Sequence, residues 1–305
     1  MIFSYYIADV FTSRPFCGAQ IAVFPRADGL NQLQMQLMAR ELNLSETAFV
    51  FAPVNGSGNR RVRIFSPQAE IHFAGHPIIA IGYVLASIGD IRLTDRYTQF
   101  ILEENIGPIA VNITGEAGQP VLVQFSLEIK PVVDRYVPVE AQIADMLSLA
   151  ETDLENKKFQ PLLVYADRTY LIVPVRSYNA VRQAKFNYLA WGQTSIPASM
   201  ATDILLFTTQ TDTPQSNFHA RLVGLNIGIN DDPPIGSAMP AFTGYLCAHD
   251  HIKKGTHAFV IDRGLLSTRK SILSIEMDHK QEEKLTIRVG GPAVMISTGE
   301  MLAPA

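Results

Sequence analysis

The stretch Glu41-Leu-Asn-Leu-Ser-Glu-Thr-Ala-Phe-Val50 joins a helix to a strand and decides the first part of the fold. Before it, apolar residues recur at helical spacing, and Asn31 with Gln34 three positions later is typical of a helix N-terminus. Asn43 suits the left-handed residue that often ends a helix. The apolar run at the end of the stretch predicts a strand. The pattern therefore places one carboxylate, Glu46, between two rigid elements.

A carboxylate at such a junction suits a general acid/base, because rigid neighbours fix its position. The alternative is a solvated turn residue, which is the commoner fate of a charged side chain. Taken alone, Glu46 favours the solvated alternative. The remaining motifs of the chain shift the balance toward function.

Composition and charge exclude several classes of protein. The chain has 305 residues, of which 47% are hydrophobic and 18% charged, which is enough for two cores of ordinary size. A net charge of −4 without a basic block argues against nucleic acid as a partner. The sequence shows neither a secretory signal nor an apolar run that would span a bilayer. Two cysteines, Cys17 and Cys247, argue against a disulfide framework, so we expect a cytoplasmic protein.

Strand and helix patterns alternate along the chain and predict a mixed α/β fold. The predicted helices after the first are Pro77–Ile88, Ala141–Leu149, Ser177–Gln193 and Ala238–Ala248. The helix Pro77–Ile88 is apolar nearly all round and should be buried. Lys130-Pro-Val-Val marks the passage into a second half, and Gly290-Gly291 predicts a hairpin turn.

The two halves contain a related pattern. An arginine-led strand, a polar turn, a glycine and a buried helix occur around Gly75-His76 and again around Gly236-Ser237, with the two glycines 161 positions apart. Such a repeat predicts two similar domains. The N-terminus of each helix would offer unpaired N–H groups to a carboxylate or another anion, beside His76 and Ser237. The alternative, that Ser237 is a plain helix cap and His76 a satisfied turn residue, is equally consistent with these residues alone.

Several motifs together resemble the PhzF-like family of phenazine-biosynthesis isomerases, within the diaminopimelate-epimerase fold. They are Asp9-Val-Phe-Thr-Ser-Arg-Pro-Phe-Cys-Gly18, Met38-Ala-Arg-Glu-Leu-Asn-Leu-Ser-Glu-Thr-Ala-Phe49, Ile64-Phe-Ser-Pro67 with Phe73-Ala-Gly-His76, Asn230-Asp-Asp-Pro-Pro-Ile-Gly-Ser-Ala238, and Val289-Gly-Gly-Pro-Ala-Val294. Their order and spacing along the whole chain make the resemblance specific.

The resemblance implies two pseudo-symmetric α/β (α+β) domains, each a mixed sheet wrapped around a central helix. We place the boundary between residues 1–128 and 129–305, and leave open whether the last strands pack back on the first domain. It also implies an active site in the cleft between the domains, proton transfer without a cofactor or metal, a small carboxylate-bearing substrate and a homodimer. The implied residues are the acid/base Glu46, the catalytic partners His76, Asp232 and Ser237, and the substrate contacts Gln20, Gly75 and Gly236.

Departures from the family pattern alter the expected pocket wall. Ala19-Gln20 follows the first glycine where Asn-Pro is common, and Pro234-Ile235 replaces a small Ala-Thr pair. Met239-Pro240 is also unusual after Ser-Ala. We therefore expect a substrate that differs from that of the phenazine enzyme, and the sequence does not distinguish double-bond isomerisation from epimerisation.

Three alternatives compete with this interpretation. A two-thiol racemase would need a cysteine before each helix-opening glycine, where Ala74 and Ile235 stand. His249-Asp-His251 could bind a metal weakly but is more typical of a solvated loop. A binding protein of the same fold without turnover would keep all the polar candidates. Arg168, Arg176 and Arg182 are interpreted as single surface charges.

Overall fold

The computed structural model describes residues 1–53, 59–228, 231–249, 252–265, 269–280 and 284–304. The strands are β1 (Ile2–Val10), β2 (Ala19–Phe24), β3 (Glu46–Phe51), β4 (Arg60–Phe65), β5 (Glu70–Ile71), β6 (Tyr97–Glu104), β7 (Gly107–Glu116), β8 (Gln119–Ile129), β9 (Val132–Asp134), β10 (Leu162–Tyr165), β11 (Thr169–Pro174), β12 (Asp203–Thr208), β13 (Phe218–Gly224), β14 (Gly255–Arg263), β15 (Ser271–His279), β16 (Leu285–Gly291) and β17 (Ala293–Leu302). The helices are α1 (Gln32–Leu42), α2 (Gly75–Ser87), α3 (Glu140–Leu147), α4 (Tyr178–Gln183), α5 (Tyr188–Gly192) and α6 (Met239–Cys247). The predicted mixed α/β class is confirmed. Within the ranges given, no helix is long and apolar enough to cross a membrane.

The chain divides into two compact units. Unit 1 comprises Met1–Leu127, Leu265–Leu273 and Arg288–Ala305, and unit 2 comprises Glu128–Gly264 and Ser274–Ile287. The division points after the first half fall beside or inside β14, β15 and β16, so the chain passes between the units more than once. Each unit contains its own set of paired strands and its own buried helix.

The sheet of unit 1 has the strand order β17-β1-β2-β3-β4-β6-β7-β8, with β5 paired to the end of β4. The pairs β2–β3 and β4–β6 are parallel and the others antiparallel. Each parallel pair is joined by a crossover that contains a helix, α1 for the first and α2 for the second, as parallel pairing requires.

Helices α1 and α2 pack on opposite faces of this sheet. The α1 side is an apolar cluster of Phe3, Phe24, Ala27, Leu30, Met35, Met38, Ala39, Phe49 and Phe65. On the other side, α2 contacts β1, β2, β3, β7 and β17. Every α2 residue from Gly75 to Gly82 is buried, which confirms the prediction of a helix enclosed on nearly all sides.

The predicted ends of α1 are confirmed. Asn31 accepts a hydrogen bond from the backbone N–H of Gln34, and the Gln34 side chain accepts one from the N–H of Asn31 in return, which is a capping box. Asn43 ends the helix in the left-handed conformation with φ of 49°. Strand β3 begins three residues later, at Glu46, so the end of α1 determines where the strand that carries Glu46 starts.

Unit 2 has the strand order β9-β10-β11-β12-β13-β14, with parallel pairs β11–β12 and β13–β14. Alternation along the strands gives the sheet two apolar faces. One face carries Leu171, Val173, Ile204 and Leu206 into a core shared with α3, α4 and α5. The other face packs Phe207 against α6, where the rings of Phe207 and Phe242 lie 5.1 Å apart.

Two predicted elements are wrong. The stretch Ser177–Gln193 is not one helix, because α4 ends at Gln183 and α5 begins at Tyr188. Gly290 and Gly291 lie at the end of β16 and form no hairpin turn. Glycine is needed there for close packing, since an added Cβ would lie 2.9 Å from the Gln124 Cβ at Gly290 and 2.6 Å from the Phe11 ring at Gly291.

Candidate active site

Glu46 is the first residue of β3 and lies on the face of the sheet that covers α2. Parallel pairing places it beside Ile21 of β2. Because side chains alternate along a strand, Glu46 and Ala48 share one face and Phe49 points to the other, which α1 covers. The carboxyl group therefore projects toward the α2 side at one end of the sheet.

The Glu46 carboxyl group is enclosed and holds its proton unusually strongly. The residue as a whole is partly buried, but its Oε2 atom is inaccessible and has no hydrogen-bond partner among the described residues. Burial raises the pKa of Glu46 from an ordinary 4.5 to about 7, while a hydrogen bond with the Ser45 side chain works in the opposite direction. A carboxyl group with this pKa can both accept and return a proton near neutral pH.

His76 lies at the same end of unit 1. It is the second residue of α2, is 2% exposed, and meets the ring of Phe11 edge-on with centroids 5.4 Å apart. Phe11 directly follows Val10, which pairs with the first residue of β2. Since β2 also contains Ile21, the neighbour of Glu46, strand register brings His76 and Glu46 to one end of the sheet.

The N-terminus of α2 is suited to an anion. Gly75 is its first residue and the N-cap position is Ala74, whose side chain cannot accept a hydrogen bond. The N-cap side chain therefore caps none of the first-turn N–H groups, and the positive end of the helix dipole favours a carboxylate here. Gly75 and His76 thus occupy the positions that the repeat predicts for them.

Gln20, the other predicted residue of unit 1 that lies outside α2, points away from Glu46. It pairs with Asp9 of β1, and strand alternation directs both side chains toward the α1 face, opposite to Glu46. Asp9 is fully buried and accepts hydrogen bonds from the Phe16 N–H, at 2.7 Å, and from Arg269. Arg269 also donates to the carbonyl oxygens of the turn before β2, and so ties this turn to a distant part of the chain.

Ser237 lies in unit 2, in a 3-10 turn (Gly236–Ala238) that leads into α6. Its hydroxyl accepts a hydrogen bond from the Tyr170 phenol at 3.3 Å. Burial raises the pKa of Tyr170, so the phenol keeps its proton and remains a donor. The N-cap of α6 is Ala238, so Ser237 is not the plain helix cap of the alternative interpretation.

Asp232 lies in the loop between β13 and this turn and is held by arginines. Its Oδ2 accepts a hydrogen bond of 2.6 Å from Nη1 of Arg182, and its backbone carbonyl accepts one from Arg263. Nη1 of Arg263 also lies 3.8 Å from Oδ1. The exposed fractions of the side chains are 5% for Asp232, 3% for Arg263 and 18% for Arg182. Within the described ranges, Oδ1 has no hydrogen-bond partner.

The interpretation of Arg182 as a surface charge is wrong. Arg182 lies in the last turn of the short α4, where the chain was predicted to continue as helix. Its carbonyl oxygen accepts a hydrogen bond from Arg221 at 3.1 Å, and Arg221 also donates to the carbonyl of Asp231 at 3.2 Å. Sequence reasoning had no signal for this contact, because 50 positions separate Arg182 from Asp232.

The described residues give little support to the thiol and metal alternatives. Burial raises the pKa of the Cys247 thiol to about 11, which disfavours the reactive thiolate. The Nε2 of His249 accepts from the Gln160 N–H at 3.3 Å, and its Nδ1 lies 2.9 Å from the Tyr245 carbonyl. Both ring nitrogens are therefore engaged within the protein. The other two members of the predicted weak metal motif, residues 250 and 251, lie outside the described residues.

The structure thus places the predicted residues in two sets. Glu46, Gly75 and His76 share one end of unit 1, and Asp232, Gly236 and Ser237 follow one another in one segment of unit 2. The residues that sequence reasoning missed are the supporting ones, Arg182, Arg221, Arg263 and Arg269. They act over long sequence separations, so no local motif marks them.

Comparisons with known proteins agree with this reading of the fold. An uncharacterised isomerase of Pasteurella multocida is 31% identical over 99% of this chain and 95% of its own length. A trans-2,3-dihydro-3-hydroxyanthranilate isomerase of Pseudomonas fluorescens is 26% identical over 98% of this chain and 99% of its own. The crystal structure of a Bacillus anthracis phenazine biosynthesis protein of the PhzF family superposes with a TM-score of 0.86 at 20% identity, covering 99% of both chains.

That superposition confirms the predicted PhzF-type fold. The family described as phenazine biosynthesis-like protein, PhzC-PhzF, matches residues 8–299, which is nearly the whole chain. With relatives of the same length that are isomerases, the chain belongs to this family and is an isomerase.

Proposed function

We propose that this isomerase moves a proton between two carbons of a small carboxylate-bearing substrate, without a cofactor, and that Glu46 is the general acid/base. The observation that carries the proposal is the enclosed Glu46 carboxyl group, with a pKa of about 7 and an unpartnered Oε2 among the described residues. A glutamate of ordinary pKa is a weak base, and a pKa near neutral makes the same group both a stronger base and an acid that can return the proton.

The reaction needs one group that acts twice. As carboxylate, Glu46 removes a proton from carbon, and the electron pair of the broken C–H bond moves into an enolate- or dienolate-like system. As carboxylic acid, Glu46 returns the proton to a second carbon, and the carboxylate is restored. The positive end of the α2 dipole, where Gly75 begins the helix, would stabilise the negative charge that develops between the two steps.

The second set of residues completes the proposal. Ser237 and Asp232 would hold the substrate, Ser237 through its hydroxyl and Asp232 through its Oδ1 oxygen. The relative named trans-2,3-dihydro-3-hydroxyanthranilate isomerase supports a cyclic amino acid of this type as the first compound to test. The altered residues Gln20, Pro234 and Ile235 motivate a wider panel of amino and hydroxy acids.

Proton exchange in deuterated buffer, followed by NMR, tests this function. Wild type, Glu46→Gln and Glu41→Gln are compared against the panel. Glu41 is an exposed carboxylate near the end of α1, five positions before Glu46, so its variant is a matched control for the loss of a charge. We expect wild type and Glu41→Gln to incorporate deuterium at a carbon of one panel compound, and Glu46→Gln to lose at least 100-fold in rate, a typical contribution of a general acid/base.

Two results would contradict the proposal. Exchange that survives in Glu46→Gln would remove Glu46 from the acid/base role. Binding of panel compounds to wild type without exchange of any carbon-bound proton, and with the same affinity in Glu46→Gln, would indicate a binding protein of this fold that does not turn over its ligand.

A further inference from the structure

We propose that Arg182 is a positioning residue that fixes Asp232 and leaves its Oδ1 oxygen for the substrate; this inference rests on the function proposed above. Asp232 lies just before the 3-10 turn, where residues 231–235 form neither helix nor strand. A functional carboxylate in such a segment must be held by neighbouring rigid elements if its position is to be defined.

Three arginines from three elements hold this segment. Arg182 comes from α4, Arg221 from β13 and Arg263 from the end of β14. Arg263 donates to the backbone carbonyl of Asp232, and Arg221 to that of the preceding residue, at 3.2 Å. These two contacts fix the backbone.

Only Arg182 makes a hydrogen bond to the Asp232 carboxylate within the described ranges. The bond joins Nη1 to Oδ2 at 2.6 Å and is charge-assisted, a short and strong type. Rotation of the carboxylate is thereby restricted, with Oδ2 engaged and Oδ1 buried without a described hydrogen-bond partner. A buried acceptor in this state is unfavourable unless a donor reaches it. The geometry therefore points to Oδ1 as the atom that accepts a hydrogen bond from a hydroxyl or ammonium group of the substrate.

Arg182 is itself held by the same network. Arg221 donates to the carbonyl oxygens of Arg182, at 3.1 Å, and of Ala184, at 2.9 Å, where α4 ends. The end of α4 and the Asp232 segment are thus joined twice, once through Arg221 to the backbone and once through Arg182 to the carboxylate. A change at Arg182 should remove the hydrogen bond to Oδ2 and leave the backbone contacts in place, together with the Arg263 guanidinium that lies 3.8 Å from Oδ1.

Kinetics of trans-2,3-dihydro-3-hydroxyanthranilate, or of the panel compound that exchanges fastest, test the proposal. The variants are Arg182→Gln, Arg182→Lys, Asp232→Asn, the double variant Arg182→Gln/Asp232→Asn, and Arg176→Gln as an exposed arginine of the same unit. We expect Arg182→Gln to lower kcat/KM by about 10- to 100-fold, the scale of a misplaced functional group. Arg182→Lys should recover part of the loss, Arg176→Gln should behave as wild type, and the double variant should match Asp232→Asn alone.

Non-additivity separates positioning from a general structural role, because two residues that act through one contact do not add their effects. A double variant that is slower than Asp232→Asn by the full factor of Arg182→Gln would overturn the proposal. So would an Arg182→Gln variant with wild-type kcat/KM. If Arg182→Gln does not fold, Arg182→Lys and the double variant still test the proposal. The double variant should fold because it leaves no buried carboxylate without a charged partner.

Urea unfolding of the same variants keeps this proposal separate from the proposed function. If wild type turns over no compound, the function fails, and the coupling of Arg182 to Asp232 is still measured by the unfolding cycle. We expect the two changes together to reduce the folding equilibrium constant by a factor on the order of tenfold smaller than the product of their separate factors. Strictly additive effects would show that Arg182 does not hold Asp232.

Discussion

At the scale of the residue, the environment of Glu46 makes the stability of the protein depend on pH. Burial raises the pKa of Glu46 from 4.5 to about 7, so between these values the native state binds more protons than the unfolded chain. The free energy of unfolding contributed by this group is therefore highest below about pH 4.5 and falls as the pH rises to about 7. We expect Glu46→Gln, which cannot ionise, to be more stable than wild type at pH 8 by on the order of 3 kcal/mol.

Urea unfolding of both proteins at pH 5, 6, 7 and 8 measures this difference. The advantage of Glu46→Gln should grow with pH across this range. Glu41→Gln, which removes an exposed carboxylate from the same part of the chain, is the control for the loss of a charge. A flat profile for Glu46→Gln would mean that water reaches the Glu46 carboxyl group and that its pKa is ordinary.

The sequence predicts the position of a residue where neighbouring residues along the chain determine that position. Glu46 could be located because the capping residues Asn31 and Asn43 define α1 and thereby the start of β3. The raised pKa could not be foreseen, since it depends on what the fold packs around Oε2. Likewise Asp232 was identified by motif, whereas its partner Arg182 was interpreted as a surface charge. The two residues are 50 positions apart, and the sequence around neither one indicates that they are in contact.

At the scale of the element, α1 depends on its capping box. Asn31 accepts a hydrogen bond from the Gln34 N–H at 3.0 Å, and the Gln34 side chain accepts one from the Asn31 N–H at 3.1 Å. Replacing the N-cap residue leaves the first-turn N–H groups without this acceptor. We expect Asn31→Ala to lower the free energy of unfolding by about 1 kcal/mol, measured in urea. Gln32→Ala, one position further in an exposed site, should change it by less than about 0.5 kcal/mol, and an equal loss in both variants would contradict a specific role of the cap.

Tertiary contacts explain why the predicted helix Ser177–Gln193 is interrupted. At the end of α4, the carbonyl oxygens of Arg182 and Ala184 accept hydrogen bonds from the Arg221 side chain. The N–H groups of Lys185 and Asn187 donate to carbonyl oxygens at the end of α3, at 2.9 Å and 2.8 Å. Backbone groups that would have paired along one helix are thus satisfied by other elements. Periodicity cannot reveal such an exchange, because the apolar spacing of the stretch is compatible with helix throughout.

At the scale of the whole molecule, the repeat in the sequence corresponds to a feature that both units share. Each unit encloses one apolar helix, α2 in unit 1 and α6 in unit 2. Each of these helices carries a glycine against a neighbouring element. A Cβ added at Gly82 would lie 2.7 Å from the Val123 side chain, and one added at Gly244 would lie 2.4 Å from the Cβ of Pro131. The sequence predicted both helices and their burial from composition, but the partners of the glycines follow only from the packing within each unit.

The chemical nature of these neighbours predicts different outcomes for the two glycines. Alanine is favoured over glycine inside a helix by about 1 kcal/mol, which opposes any steric penalty. At Gly82 the obstacle is a valine side chain whose small shift relieves most of the overlap, so Gly82→Ala should change the free energy of unfolding by less than about 1 kcal/mol. At Gly244 the obstacle is a proline ring fixed to the backbone, so Gly244→Ala should lower it by about 1 to 3 kcal/mol. Gly192→Ala in α5 serves as the control and should be neutral or stabilising, because among the described residues an added Cβ would meet nothing within 4 Å beyond its chain neighbours and the backbone of its own helix. Urea unfolding measures the free energies of unfolding of the three variants and so ranks them. Equal losses at Gly82 and Gly244 would show that burial of the helix, rather than the rigidity of the neighbouring group, determines how much an added methyl group destabilises the protein.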